Sequence, residues 1–127
     1  MAGNLIELKE QEAKGGSLDA QHPRTHGWNP LMAAIFHQQT NIIQYLLTRN
    51  VKLNAQDSSG ETALMWAIEC EDTNTVRLLL EKGAAIRVGP NDAIDWANAG
   101  GMSKQEKNVV LKWLNEYKDK NKSSAKP

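Results

Sequence analysis

The chain has 127 residues, 40% of them hydrophobic, and its 15 basic and 15 acidic side chains cancel to a formal net charge of zero. That length suits one domain, and the neutral balance excludes a general attraction to nucleic acid or to an anionic membrane. The single cysteine, Cys70, excludes an internal disulfide, and no apolar run approaches the length of a membrane span. In chain order, Leu5, Ile6 and Leu8 predict a helix that stops at Gly15-Gly16. Leu18-Asp19-Ala20-Gln21 then anticipates Leu53-Asn54-Ala55-Gln56. Residues 1–21 therefore read as a half-repeat or cap without its first helix: either the cap is a single helix or the natural N-terminus is longer. No charged segment leads into an apolar stretch, so no secretory signal is visible. A cytoplasmic location follows by default, or a periplasmic or secreted one if a signal has been removed.

The next segment occurs twice. Gly27-Trp28-Asn29-Pro30-Leu31-Met32-Ala33-Ala34-Ile35 returns 33 residues later as Gly60-Glu61-Thr62-Ala63-Leu64-Met65-Trp66-Ala67-Ile68. Each copy is followed at the same offset by an apolar stretch, Ile42-Ile43-Gln44-Tyr45-Leu46-Leu47 and Thr75-Val76-Arg77-Leu78-Leu79-Leu80. A fixed period of this length marks one supersecondary unit stacked on itself. Such a stack offers an extended surface rather than a catalytic cavity. Pro30 suits a first helical position, Asn29 and Asp92 suit N-caps, and Asn50 and Gly83 suit left-handed helix ends. Leu31 and Leu64 are expected at equivalent buried sites. Short hairpin tips are expected around Leu53 to Ser59 and Ile86 to Asn91.

A third opening, Gly89-Pro90-Asn91-Asp92-Ala93-Ile94-Asp95-Trp96-Ala97, follows with about three residues fewer in its hairpin. Its second helix starts at a capping box, Ser103 with Glu106. Val109, Val110, Trp113, Leu114 and Tyr117 then share one face at helical spacing, with polar residues between them. One wet face suits a terminal cap, beyond which nothing stacks. The units divide as 22–54, 55–87 and 88–117, the last a C-terminal cap. Residues 118–127 read as a disordered, lysine-rich tail.

The residues that carry the period resemble the ankyrin-repeat family. Gly60 to Ile68 is similar to the family's opening Gly-x-Thr-Pro-Leu-His-x-Ala-Ala, with Thr62, Leu64 and Ala67 in place, and Asn29-Pro30-Leu31 with Ala34 matches in the other copy. Leu79-Leu80-Glu81-Lys82-Gly83-Ala84-Ala85-Ile86 resembles the family's second-helix ending. Met32 and Met65 stand where the family has His, and Gln38-Gln39 and Glu71-Asp72 stand where it has Gly-His. The resemblance implies an all-α ankyrin-repeat solenoid of helix-turn-helix units with β-hairpin fingers. It also places Asn54 at the asparagine that is hydroxylated in some animal members.

Catalytic chemistry finds no constellation. His22, His26 and His37 are the only imidazoles, and a zinc site needs about four placed ligands. Glu69, Glu71 and Asp72 form an acidic cluster on a helix end and its turn, which reads as a solvated face. Cys70 reads as an ordinary free thiol, and the glycine pairs as turns. The chain is expected to be a non-enzyme with no catalytic residues, no metal and no cofactor.

Function then rests on binding. In the ankyrin fold, partners meet the hairpin tips and the ends of the first helices along a concave groove. Mapped onto this chain, the tips are Thr25, His26 and Trp28; Ser58, Ser59 and Glu61; Asn91 and Asp92. The helix ends are Phe36 and His37, Glu69 and Cys70, Asn98 and Ala99. Trp28 and Phe36 are expected as aromatic anchors, the alternative being that they fold back over the half-repeat cap. Trp66 and Trp96 are expected in the core. The resemblance thus implies a monomeric interaction module that masks or scaffolds a protein partner through its groove, with no nucleic-acid or membrane partner. An inhibitor or immunity-type protein acting on a toxin or hydrolase is its sharper form, and a fragment of a longer scaffold with no binding role is the alternative.

Overall fold

The computed structural model describes residues 9–10, 12–21, 26–118 and 120. Helices α1 (Pro30–Phe36) and α2 (Thr40–Thr48) form a first pair, and α3 (Ala63–Glu69) and α4 (Thr73–Glu81) repeat it 33 residues later. A two-stranded antiparallel hairpin, β1 (Arg87–Val88) and β2 (Asn91–Asp92), leads into a third pair, α5 (Ala93–Ala99) and α6 (Lys104–Tyr117). In the hairpin Arg87 lies opposite Asp92 and Val88 opposite Asn91. The short helices α1, α3 and α5 pack side by side as an inner row, with α2, α4 and α6 behind them. This is the predicted helix-turn-helix solenoid.

Capping explains where the inner helices begin. The Asn29 side chain accepts from the Met32 amide at 2.9 Å, the Thr62 hydroxyl from the Met65 amide at 3.4 Å, and Asp92 from the Ile94 amide at 2.8 Å. Each bond satisfies an amide that has no partner within its helix. Pro30 takes the first position of α1, as expected. Ser103 accepts from the Glu106 amide at the start of α6. Behind the caps runs a continuous apolar seam that includes Leu31, Leu64, Ile43, Leu46, Leu79, Leu80, Val110 and Leu114. Met32 and Met65 are wholly buried, their flexible thioethers filling the core at the places where the related motif has His.

The half-repeat echo has a physical basis. Asp19 accepts from the Lys52 amide at 2.8 Å, and Asn54 accepts from the Ala85 amide at 2.8 Å. The Gln21 amide group donates to the carbonyls of Gly27 and Gln56, and that of Gln56 donates to those of Gly60 and Val88. Each glutamine thus ties its own turn to the next unit. Gly60 has φ 82°, and a Cβ there would lie 2.7 Å from Asn91 Nδ2, so the close approach of the two fingers requires glycine.

Several expectations need correction. Val109 is 43% exposed, because α6 turns Val110 and Leu114 inward and leaves Trp113 and Tyr117 half-buried. Gly83 is left-handed at φ 99°, but Asn50 is not; among the described residues other than glycine, the left-handed ones are His26, Gln38 and Glu71. The tip from Leu53 to Ser59 forms turns rather than strand. Residues 9, 10, 12 and 13 are helical and the chain turns at Gly15. Leu5, Ile6 and Leu8, together with His22, Thr25 and the tail from 121 onward, lie outside the described residues.

Gln38 and Glu71 occupy matching turns between paired helices, at φ 57° and 58°. A side chain in this region costs about 1–2 kcal/mol, against roughly 0.5–1 kcal/mol for the extra freedom of an unfolded glycine. Gln38→Gly is expected to raise the stability by up to about 1 kcal/mol, read as a higher urea midpoint at unchanged slope.

Candidate functional site

The inner row and the finger tips bring aromatic rings from two units together. Trp28 precedes α1, Phe36 ends it, and Trp66 sits mid-way along α3. The Trp28 ring lies 4.9 Å from Phe36 and 5.2 Å from Trp66, and Phe36 lies 5.8 Å from Trp66. Their planes are tilted or edge-on, the arrangement that ring quadrupoles favour. His26 borders Trp28 at 6.1 Å and His37 borders Phe36 at 5.4 Å. Phe36 is 47% exposed, so the cluster presents ring surface to solvent.

Asp57 fixes the middle of this face. Its carboxylate is buried and accepts from the Ser59 and Glu61 amides, both at 2.9 Å, and from the Trp66 indole at 2.8 Å. One side chain therefore shapes the second finger tip and aims the tryptophan. The Trp96 indole from the third unit donates to Glu69 at 2.6 Å. Glu61 stands beside Glu69, and among the described residues its buried Oε1 has no hydrogen-bond donor. Burial first, then the adjoining Glu69 and the Asp57 charge, push the Glu61 carboxyl from 4.5 up to about 7, while the Trp96 indole opposes the shift.

The sign of that shift gives a pH test. A carboxyl with a raised folded value binds more protons in the folded state than in the unfolded one between the two values. Its stabilising contribution is present below 4.5 and is lost as pH rises through about 7. Glu61→Gln stays neutral throughout. The melting temperature of this variant relative to wild type is expected to rise between pH 5 and pH 8, and a fall would contradict the burial assigned to Glu61.

The predicted site residues divide in three. His26, Phe36, His37, Ser58, Ser59 and Glu69 are exposed. Trp28 and Glu61 are half-buried within the face, and the buried Trp28 indole nitrogen has no partner among the described residues. Asn91 and Asp92 serve the fold, since Asn91 donates to the Gly60 carbonyl at 2.7 Å and Asp92 caps α5. Trp66 and Trp96, expected in the core, are half-buried on this face with their indoles on carboxylates. The sequence held a signal for Trp66: it lies three residues before Glu69 on one helix, hence on the same side. Nothing in the sequence singled out Asp57. Burial, Glu69 and Asp72 raise the Cys70 thiol, which disfavours a reactive thiolate.

Upstream, the Tyr45 hydroxyl donates to Glu12, and the Arg49 guanidinium meets the same carboxylate at 2.7 Å. Together they hold Glu12 below its usual range. These contacts fasten the leading helical turn to α2 and lie apart from the ring cluster. Among the described residues no group of three or more His, Cys, Asp or Glu is arranged to hold a metal. No described helix is long and apolar enough to cross a membrane.

Comparison with known proteins fits this architecture. A family model described as ankyrin repeats (3 copies) matches residues 4–89. A putative ankyrin repeat protein of Fowlpox virus is 32% identical over 59 residues, 46% of this chain and 14% of that protein. The palmitoyltransferase AKR1 of Eremothecium gossypii is 38% identical over 63 residues, 49% of this chain and 9% of that one. The ankyrin repeat and SAM domain-containing protein 6 of Mus musculus is 32% identical over 81 residues, 62% of this chain and 9% of its own. The chain thus spans less than one sixth of the length of these relatives.

Proposed function

The chain belongs to the ankyrin-repeat family, and from that premise we propose that it is a non-catalytic interaction module that docks a protein partner on its inner face. Ankyrin repeats generally mediate contacts between proteins. The observation that carries the reading here is the ring cluster of Trp28, Phe36 and Trp66, partly exposed and tied through the Trp66 indole to the Asp57 carboxylate of the second finger. Aromatic anchors bordered by polar groups combine desolvation with orientation, the composition of binding hot spots. Phe36 leads because it is the most exposed of the three. Masking a partner's functional surface, as an inhibitor or immunity-type protein does, is the sharper form of the proposal, and scaffolding is the broader one. The palmitoyltransferase activity in one relative's name stays with that relative, since the match covers 9% of its length.

A second reading, a segment of a longer ankyrin scaffold without a docking role of its own, draws on one observation. The relatives carry the matching region inside much longer chains. Affinity capture from a lysate of the source organism, with wild type and Phe36→Ala compared by mass spectrometry, separates the two. Docking on this face predicts a protein held by wild type and weakened by about 2 kcal/mol in the variant. Equal capture by both moves the site elsewhere, and no capture by either favours the scaffold segment.

A further inference from the structure

We propose that the protein partner docks by inserting an arginine side chain against Trp28, Phe36 and Trp66, with its guanidinium held by Glu61 and Glu69. This rests on the docking reading above and names its chemistry. Charge complementarity carries it. From Leu53 to Val76 the chain holds Asp57, Glu61, Glu69, Glu71 and Asp72 and no lysine or arginine. Asp57 and Asp72 are committed to internal hydrogen bonds. Glu69 gives one oxygen to the Trp96 indole at 2.6 Å, and Glu61 is less fully satisfied. The two stand side by side, Glu61 hydrogen-bonded to Glu69, and among the described residues no cation pairs with either and the buried Glu61 Oε1 has no donor. Once Glu61 ionises, like charges in this position destabilise the free protein, and a cation removes the repulsion and supplies a hydrogen bond to Glu61 Oε1. Lys107 is engaged on the Asn98 carbonyl of α5.

Geometry places the rings and the carboxylates together. Trp66 and Glu69 are three residues apart on α3 and so share a side. The Asp57 carboxylate joins the Trp66 indole to the Glu61 amide. A guanidinium is flat, weakly hydrated and forked, so it stacks on a ring while donating to two carboxylates. A lysine ammonium is compact and strongly hydrated, and makes poorer use of a ring face beside two separated acceptors.

The test follows the four indole N–H signals of the nitrogen-15-labelled protein by NMR. Trp28, Trp66 and Trp96 report on the face, and Trp113, on α6 in the outer row, is the internal control. Triarginine, trilysine and triglutamate are titrated at low salt. The expected result is that triarginine shifts the Trp28 and Trp66 indoles saturably, leaves Trp113 in place, and binds at least about tenfold more weakly to Glu61→Gln/Glu69→Gln. The inference is overturned if triarginine moves no indole of the face, if trilysine or triglutamate matches it, or if the double variant binds equally well. In any of these cases, loss of captured protein with Phe36→Ala still leaves the docking reading standing, so the two failures are distinguishable.

Discussion

Replacing Leu64 with alanine is expected to lower the stability by roughly 2–5 kcal/mol, the range for truncating a buried leucine. Leu64 is 1% exposed and belongs to α3, the helix that touches α1, α4 and α5. The loss combines the transfer free energy of three side-chain carbons with the cavity left where neighbouring helices cannot close in. Because the units couple only to their neighbours, a defect in the middle one weakens both interfaces. Urea unfolding monitored by circular dichroism checks this, with Ser58→Ala at an exposed tip as the reference expected to stay within about 0.5 kcal/mol. Equal shifts in the two midpoints would mean that α3 is not turned as described.

The second large effect is expected at Asp57. Its carboxylate satisfies two backbone amides and an indole, and hydrogen bonds to a charged acceptor are worth about 1.5–3 kcal/mol each in favourable cases. Asp57→Ala leaves those donors without a partner in a partly buried turn. A loss of about 2–4 kcal/mol follows, less than the simple sum because water reaches the opened turn. Asp57→Asn retains an oxygen for the amides and is expected to lose less. Trp66 fluorescence gives a second readout, since its indole changes partner. A variant that unfolds like wild type with an unaltered spectrum would show that Asp57 does not organise the finger.

The fold was legible because a stack writes its core twice. Leu31 and Leu64, Met32 and Met65, and the paired apolar stretches hold the same places at one spacing, and burial follows that register. The caps at Asn29 and Asp92 were equally local, since each depends on a side chain and an amide two or three residues ahead. The candidate face was only partly legible. Phe36 and His37 could be placed because a helix end shows its side chains. Trp66 and Trp96 were misplaced because bulk and apolarity argue for the core, whereas an indole also carries a donor that seeks an acceptor. Those acceptors are Asp57 and Glu69, and Glu69 meets Trp96 across 27 residues. A contact between units leaves no periodic trace. The same reason hid the brace made by Gln21 and Gln56, although their shared four-residue context was visible.

That brace has a consequence for kinetics. Each glutamine clamps the carbonyl of its own turn to a carbonyl of the next, so the spacing of the finger tips is set before any encounter. The tips are where loops in other architectures must settle into shape on contact. Here most of that ordering is complete in the free molecule, and little conformational entropy remains to be lost on association. A surface prepared in this way is expected to associate at a rate governed by diffusion and charge, with affinity differences among partners appearing in how long they stay.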